Sequence, residues 1–189
     1  MRIAKDVRFR RKERILRGIS LEIEGMIAIS GPNGSGKSTL AMILAGLRRP
    51  HKGEVLVDGG DPKGKVYLAF QDARLLDISV REYLELVGSE DFLEVLDVRR
   101  VLDKNARRLS IGRKKRVHLQ AAYGGRHRYV ILDEPEAGID SLDIVIEAIK
   151  AIKQRKTLVV ISHEPEIISL ADEAYRLFNG RLLKYEKAR

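Results

Sequence analysis

The stretch "MIAISGPNGSGKST" (Met26–Thr39) constrains this chain more than any other. A short apolar run passes without a linker into a glycine-rich turn, and then into a helical pattern from Lys37 to Gly46. The turn fits G-x-x-x-x-G-K-[ST], with Gly31, Pro32, Asn33, Gly34, Ser35, Gly36, Lys37, Ser38 and Thr39 in order. Its glycines let successive backbone N–H groups turn inward around a β-phosphate. The helix N-terminus behind them adds the positive end of its dipole. Lys37 would reach the β- and γ-phosphates, and the Ser38 hydroxyl would bind Mg²⁺. A turn that merely starts a helix is the bland alternative, but the buried strand before and the helix after both favour phosphate. The chain reads as a binder of a nucleoside triphosphate.

A second motif supports this reading. "YVILDEP" ends an apolar run in two adjacent acids, Asp133 and Glu134. Asp133, at a strand end, can hold the Mg²⁺ shell from the side opposite Ser38, and Glu134 can orient or polarise an attacking water. Asp-Glu at a strand end is common by itself. Its weight comes from being paired with a phosphate loop on another parallel strand.

The apolar runs "MIAI", "YVIL" and "LVVI", bounded by turns and separated by helical patterns, read as buried parallel strands. "IAKDVRF" and "ILRGISLEIE" alternate imperfectly, as strands of an antiparallel edge sheet, while "GEVLVDG" and "KVYLAF" read as two further strands. From Ser79 to about Ala122 the pattern is helical, with "SVREYLELV" and "EDFLEVLDV" as amphipathic pieces. A helix "SLDIVIEAIKAIKQ", a strand "TLVVIS", a short helix and a hairpin "AYRLFNGRLLKY" turning at Asn179-Gly180 complete the chain. The expectation is an α/β fold: a P-loop core of mainly parallel sheet flanked by helices, with an N-terminal antiparallel β subdomain. A compact helical insertion covers roughly residues 72–122, within one domain spanning 1–189.

Composition bounds the partners. Lys and Arg number 36 against 27 Asp and Glu, a net charge of +9, which fits nucleic acid, an anionic membrane surface or phosphates. Six of the eleven residues in "RRLSIGRKKRV" (Arg107–Val117) are basic, so charge alone makes this segment a nucleic-acid patch. There is no cysteine, which excludes a disulfide framework and thiolate metal sites. The basic N-terminus lacks the long apolar core of a signal peptide. None of the apolar runs could span a bilayer, so any membrane role is expected through a partner.

Taken together, the motifs resemble those of the ATP-binding cassette (ABC) ATPases, over nearly the whole chain from about Val7 to Leu183. Gln71 in "AFQDARLL" matches the family's Q-loop glutamine, which the resemblance places near Mg²⁺ and the attacking water. "LSIGR" (Leu109–Arg113) stands where the family carries its LSGGQ signature, "AGID" (Ala137–Asp140) matches the D-loop, and His163 after "LVVIS" matches the switch histidine. The resemblance implies that Ser110 and Gly112 of one subunit cover ATP held on another subunit's phosphate loop, with Asp140 counted among the nucleotide-binding residues. It also implies an aromatic on the adenine, for which Phe9 is the best candidate, with a spacing that requires an adjustment and a buried core Phe as the equal alternative. The basic segment then becomes half of a split ATP site, and its remaining cations add positive potential or solvate the helix.

Three departures qualify the match: Ile111 for the first signature glycine, Arg113 for the glutamine, and Glu136 where a small or hydroxyl residue usually follows "DEP". "LSIGRKKRV" and "DEPEAGID" are most similar to energy-coupling-factor and related cassettes. The function implied is ATP binding and hydrolysis, with Glu134, His163 and Gln71 catalytic and Ser38, Gln71 and Asp133 at Mg²⁺. This ATPase would power an ABC transporter by nucleotide-driven dimerisation, as a homodimer or with another cassette. An integral membrane subunit is the expected partner, and the expected location is cytoplasmic, peripheral at the inner face of the cell membrane. The alternative is a soluble ABC ATPase acting on nucleic acid or ribosomes. It is disfavoured because the chain has neither a mid-chain coiled coil nor a second cassette.

Overall fold

The computed structural model describes residues 2–10 and 14–185. The chain runs through β1 (Arg2–Arg10), β2 (Arg14–Ile23) and β3 (Met26–Ser30) into α1 (Lys37–Leu44), then β4 (Lys52–Val57) and β5 (Val66–Ala69). Next come α2 (Val80–Leu86), three 3₁₀ turns between Glu94 and Arg108, and α3 (Ile111–Gly124). The last part is β6 (Tyr129–Asp133), α4 (Leu142–Lys153), β7 (Thr157–Ile161), α5 (Pro165–Leu170), β8 (Glu173–Phe178) and β9 (Arg181–Tyr185).

Six strands form one sheet in the order β5-β6-β7-β3-β8-β9. All its pairings are parallel except the β8–β9 hairpin. Parallel neighbours need crossovers, so helices fall on both faces and each strand is buried twice. The pleat separates the two burials residue by residue. Met26 and Ala28 of β3 pack with Val130, Leu132, Leu158 and Val160 on the face covered by α3, α4 and α5, whereas Ile27 and Ile29 pack with Ile131, Val159 and Ile161 on the α1 face. This explains why the core strands read as continuous apolar runs without alternation. The smaller sheet, β2-β1-β4, is antiparallel and shares the second cluster.

Strand β4 had no sheet assignment from its sequence, and it closes the antiparallel sheet against β1. "SVREYLELV" is helical as expected, with Ser79 and Glu82 forming a capping box. "EDFLEVLDV" is not an α-helix. It breaks into 3₁₀ turns, Glu94–Leu96 and Val98–Val101, on either side of Asp97 at φ 50°, a left-handed conformation that ends an α-helix. The hairpin turns at Asn179 (φ 49°) and Gly180 (φ 75°), as an Asn-Gly type I′ turn requires.

One polar cluster ties the helical segment to the sheet. The Tyr67 hydroxyl of β5 hydrogen-bonds His118 Nδ1 of α3 at 2.6 Å and the Tyr83 hydroxyl of α2 at 3.0 Å. Burial pushes His118 from its ordinary 6.5 down to about 4. The fold therefore favours the neutral ring, and this contribution to stability is present above pH 6.5 and lost as pH falls toward 4. Between pH 7 and pH 5 the loss is expected to be about 2 kcal/mol, from the usual linkage of protonation to unfolding. Urea unfolding at the two pH values, with His118→Phe as control, checks this. An equal pH slope in the variant would remove His118 as its source.

Candidate functional site

The phosphate loop is built by its surroundings as much as by its glycines. Gly31 sits at φ 146°, and a Cβ there would lie 2.3 Å from the Leu177 carbonyl oxygen of β8. A side chain would push the loop off the sheet. The N-terminus of α1 that follows Gly36 carries no side-chain cap. Its orphan N–H groups therefore face the groove, where an anion can take them. Lys37 is buried, and its ammonium donates to the Gly31 carbonyl at 2.7 Å and the Pro32 carbonyl at 3.3 Å. The Ser35 hydroxyl is buried with no partner among the described residues. Bare amides, an ammonium donating to loop carbonyls and a hydroxyl without a partner among the described residues fit a bound polyphosphate.

Asn33, Gly34, Gly36, Lys37, Ser38 and Thr39 line a groove of about 470 Å³ together with Gln71 and Glu134. Gln71 Nε2 donates to Glu134 Oε2 at 2.5 Å, and His163 Nε2 stands 4.0 Å from Glu134 Oε1. Residues from the ends of three parallel strands thus converge on one carboxylate. Glu134 itself lies at φ 47°, in the left-handed region, with its N–H donating to the Ile161 carbonyl at 2.9 Å. Strain of this kind persists only where neighbours enforce it. Asp133 is buried, and burial pushes its carboxyl up while the Ser38 hydroxyl, hydrogen-bonded to it, pulls it down. A buried carboxylate beside a hydroxyl, both hard oxygen donors, fits Mg²⁺.

Ser110 and Gly112 are not in this groove. With Asp140, Ile111, Arg113 and Arg116 they line another, of about 710 Å³, which shares no residue with the first. Ser110 is the exposed N-cap of α3, and its side chain makes no cap hydrogen bond. A Cβ on Gly112 would meet the Gly138 carbonyl at 2.5 Å, so the start of α3 is packed backbone-to-backbone against the "AGID" loop. Ile111, 62% exposed, lies across Gly138 at the rim of the groove.

Phe9 takes the core position. It is 9% exposed in the core of the antiparallel sheet, its ring 5.0 Å from that of His51 and under the Arg48 guanidinium at 5.1 Å. Its inward position in β1 makes it a core residue.

Two residues gain importance from the structure. Lys115 reads in the sequence as one cation of a solvated run, yet it is buried, with its ammonium on backbone carbonyls beside the site. Helical spacing was the available signal, since Lys115 shares a face with His118 and Ala122, both buried. Glu136 accepts from the Ser162 hydroxyl at 2.7 Å, immediately before His163. Its other oxygen is buried without a partner among the described residues, and burial pushes its carboxyl up.

A glycine loop feeding an uncapped helix, with an acid pair across the sheet, defines a P-loop nucleoside triphosphatase. The sequence profile of the family described as "ABC transporter" matches residues 16–137. A Pyrococcus furiosus protein named as an ABC transporter ATP-binding protein is 32% identical, over 90% of this chain and 76% of its own length. The energy-coupling factor transporter ATP-binding protein of Methanocaldococcus jannaschii is 28% identical, over 95% and 76%. Among solved structures, a dimeric ATP-binding cassette in a post-hydrolysis state, bound to ADP and Pi, superposes with a TM-score of 0.85. It is 23% identical, and the match covers 100% of this chain and 99% of that one. The chain belongs to the ABC transporter family.

Proposed function

We propose that this chain is the ATP-binding and ATP-hydrolysing subunit of an ABC transporter, working as one half of a two-cassette sandwich. The observation that carries the reading is the separation of the two grooves: Ser110, Gly112 and Asp140 line one, the phosphate loop, Gln71 and Glu134 the other. A γ-phosphate on Lys37 reaches the Ser110 hydroxyl and the uncapped N-terminus of α3 only if a second cassette supplies them.

In that arrangement Lys37 exchanges its loop carbonyls for phosphate oxygens. Ser38, Asp133 and Gln71 would hold Mg²⁺, which would supply charge neutralisation for the phosphates. Glu134, oriented by Gln71 and His163, polarises the attacking water. The structural relative bound to ADP and Pi supports the same chemistry here. The segment 72–122 is the docking face for an integral membrane subunit, and its exposed Leu76 and Leu86 supply apolar contact. That partner holds the chain at the inner face of the membrane, and no helix among the described residues is itself long and apolar enough to cross one. The partner cassette is a second copy or a different chain. The basic segment does not call for nucleic acid: Lys115 is buried and Arg107 pairs with Asp77 at 3.4 Å.

A split site makes turnover depend on encounter. In Mg²⁺ and saturating ATP, specific activity is expected to rise with chain concentration, about linearly while the chain is mostly monomeric. Phosphate release measured across a wide dilution series checks this. Constant specific activity in a chain shown to be monomeric would place the whole site in one subunit and overturn the sandwich.

A further inference from the structure

We propose that Lys115 is a positioning residue for hydrolysis, holding the backbone that aims the Glu134 carboxylate; this rests on the hydrolytic role proposed for Glu134. Lys115 is 2% exposed, although it stands in the most basic stretch of the chain. An ammonium has three donors and no acceptor. Here it donates to the Glu134 carbonyl at 2.8 Å, the Asp133 carbonyl at 3.3 Å and the Phe70 carbonyl at 3.5 Å. Those carbonyls lie at the ends of β6 and β5, on the two segments that carry Glu134 and Gln71. One nitrogen atom thus fixes the spacing of the residues that meet at 2.5 Å in the groove.

The contact to Glu134 falls where the backbone needs it. At φ 47° a non-glycine residue is strained and must be restrained on both sides. Its N–H is fixed by the Ile161 carbonyl, and its C=O by Lys115. Without the ammonium, the peptide after Glu134 can relax toward ordinary φ and ψ, which swings the carboxylate away from Gln71. Packing alone does not explain a lysine here, because an apolar side chain of similar length would fill the space without desolvating a charge. Burial does push its pKa down, while the carboxylates of Asp133, Glu136, Glu134 and Asp72 support the charged form.

The test is single-turnover hydrolysis of prebound ATP after Mg²⁺ addition. Lys115→Met should slow it about 100-fold, the usual effect of roughly 1 Å misplacement of a reacting group. ATP affinity should stay within about threefold, because Lys115 does not line the phosphate groove. If Lys115 acts through Glu134, adding Lys115→Met to Glu134→Gln should slow the residual rate by less than about threefold, since residues acting as a unit are non-additive. The chain has no cysteine, so Lys115→Cys can be alkylated at one site with 2-bromoethylamine while unfolded. After refolding, the restored ammonium should recover most of the rate. Should Lys115→Met fail to fold, Lys115→Gln carries the same comparison. Three results would overturn the role: parental hydrolysis in Lys115→Met, an undiminished second loss in the Glu134→Gln background, or no recovery on aminoethylation. The parent chain is the internal control. If it shows no turnover, either alone or mixed with the partner cassette where that is a different chain, the hydrolytic reading fails, whereas parental turnover with a silent Lys115→Met removes Lys115 alone.

Discussion

Glu134→Gln is expected to slow ATP hydrolysis to a small residual rate and, with Mg²⁺ present, to accumulate a dimer holding two nucleotides. The substitution keeps the side chain's shape and leaves an amide oxygen to accept from Gln71, which now donates to Oε2 at 2.5 Å. What it removes is the negative charge that polarises water, and general-base losses are typically about 100- to 10,000-fold in rate. Binding is untouched, so the closed, ATP-bound state persists. Adding Ser110→Arg should abolish that dimer while leaving ATP binding by the monomer within about threefold. Ser110 lines the second groove only, and a long cation there would crowd the surface that receives the partner's phosphates. Size-exclusion with light scattering reads both results. A dimer unchanged by Ser110→Arg would mean that "LSIGR" does not lie at the ATP interface, and the basic segment would then need another role. If the second cassette is a different chain, the same measurement is made on the mixture.

The other large effect is on affinity. Lys37→Ala removes the only ammonium among the residues lining the phosphate groove. Its Nζ already donates to two loop carbonyls, Gly31 and Pro32, so it is held over the place where phosphate oxygens arrive. Charge-assisted hydrogen bonds contribute roughly 1.5 to 3 kcal/mol each. Losing one or two of them weakens ATP binding by about 10-fold at the least and by about 10,000-fold at the most. Calorimetry with ATP measures this, and thermal unfolding of the variant separates lost affinity from a lost fold. Retained parental affinity in a folded Lys37→Ala chain would remove Lys37 from the phosphate site.

Much of the site was legible in the residues themselves. The phosphate loop, the acid pair, Gln71, His163 and the Asn-Gly hairpin depend on which residues adjoin one another along the chain. Glycine at φ 146°, an uncapped helix start and a carboxylate ending a strand are local requirements, and local requirements are written in short motifs. The parallel class of the main sheet was legible too, because burial on both faces leaves no polar alternation to hide it.

Other features depended on which segments meet in space. The order β5-β6-β7-β3-β8-β9, the capture of β4 by β1, and the division of the candidate site residues between two grooves come from pairings that no single segment encodes. Phe9 and Lys115 show the limit most directly. An aromatic in the N-terminal sheet reads equally as a base platform or a core residue, and the pleat of β1 turns Phe9 into the core. A lysine among six cations reads as solvated, but the inward face of α3 carries it to three backbone carbonyls. By itself the sequence determined the phosphate chemistry and the kind of sheet that carries it, since both are set by neighbours in the chain. Only the tertiary structure decided which side chains are desolvated and what they touch there, because burial depends on segments distant in sequence that the fold brings together.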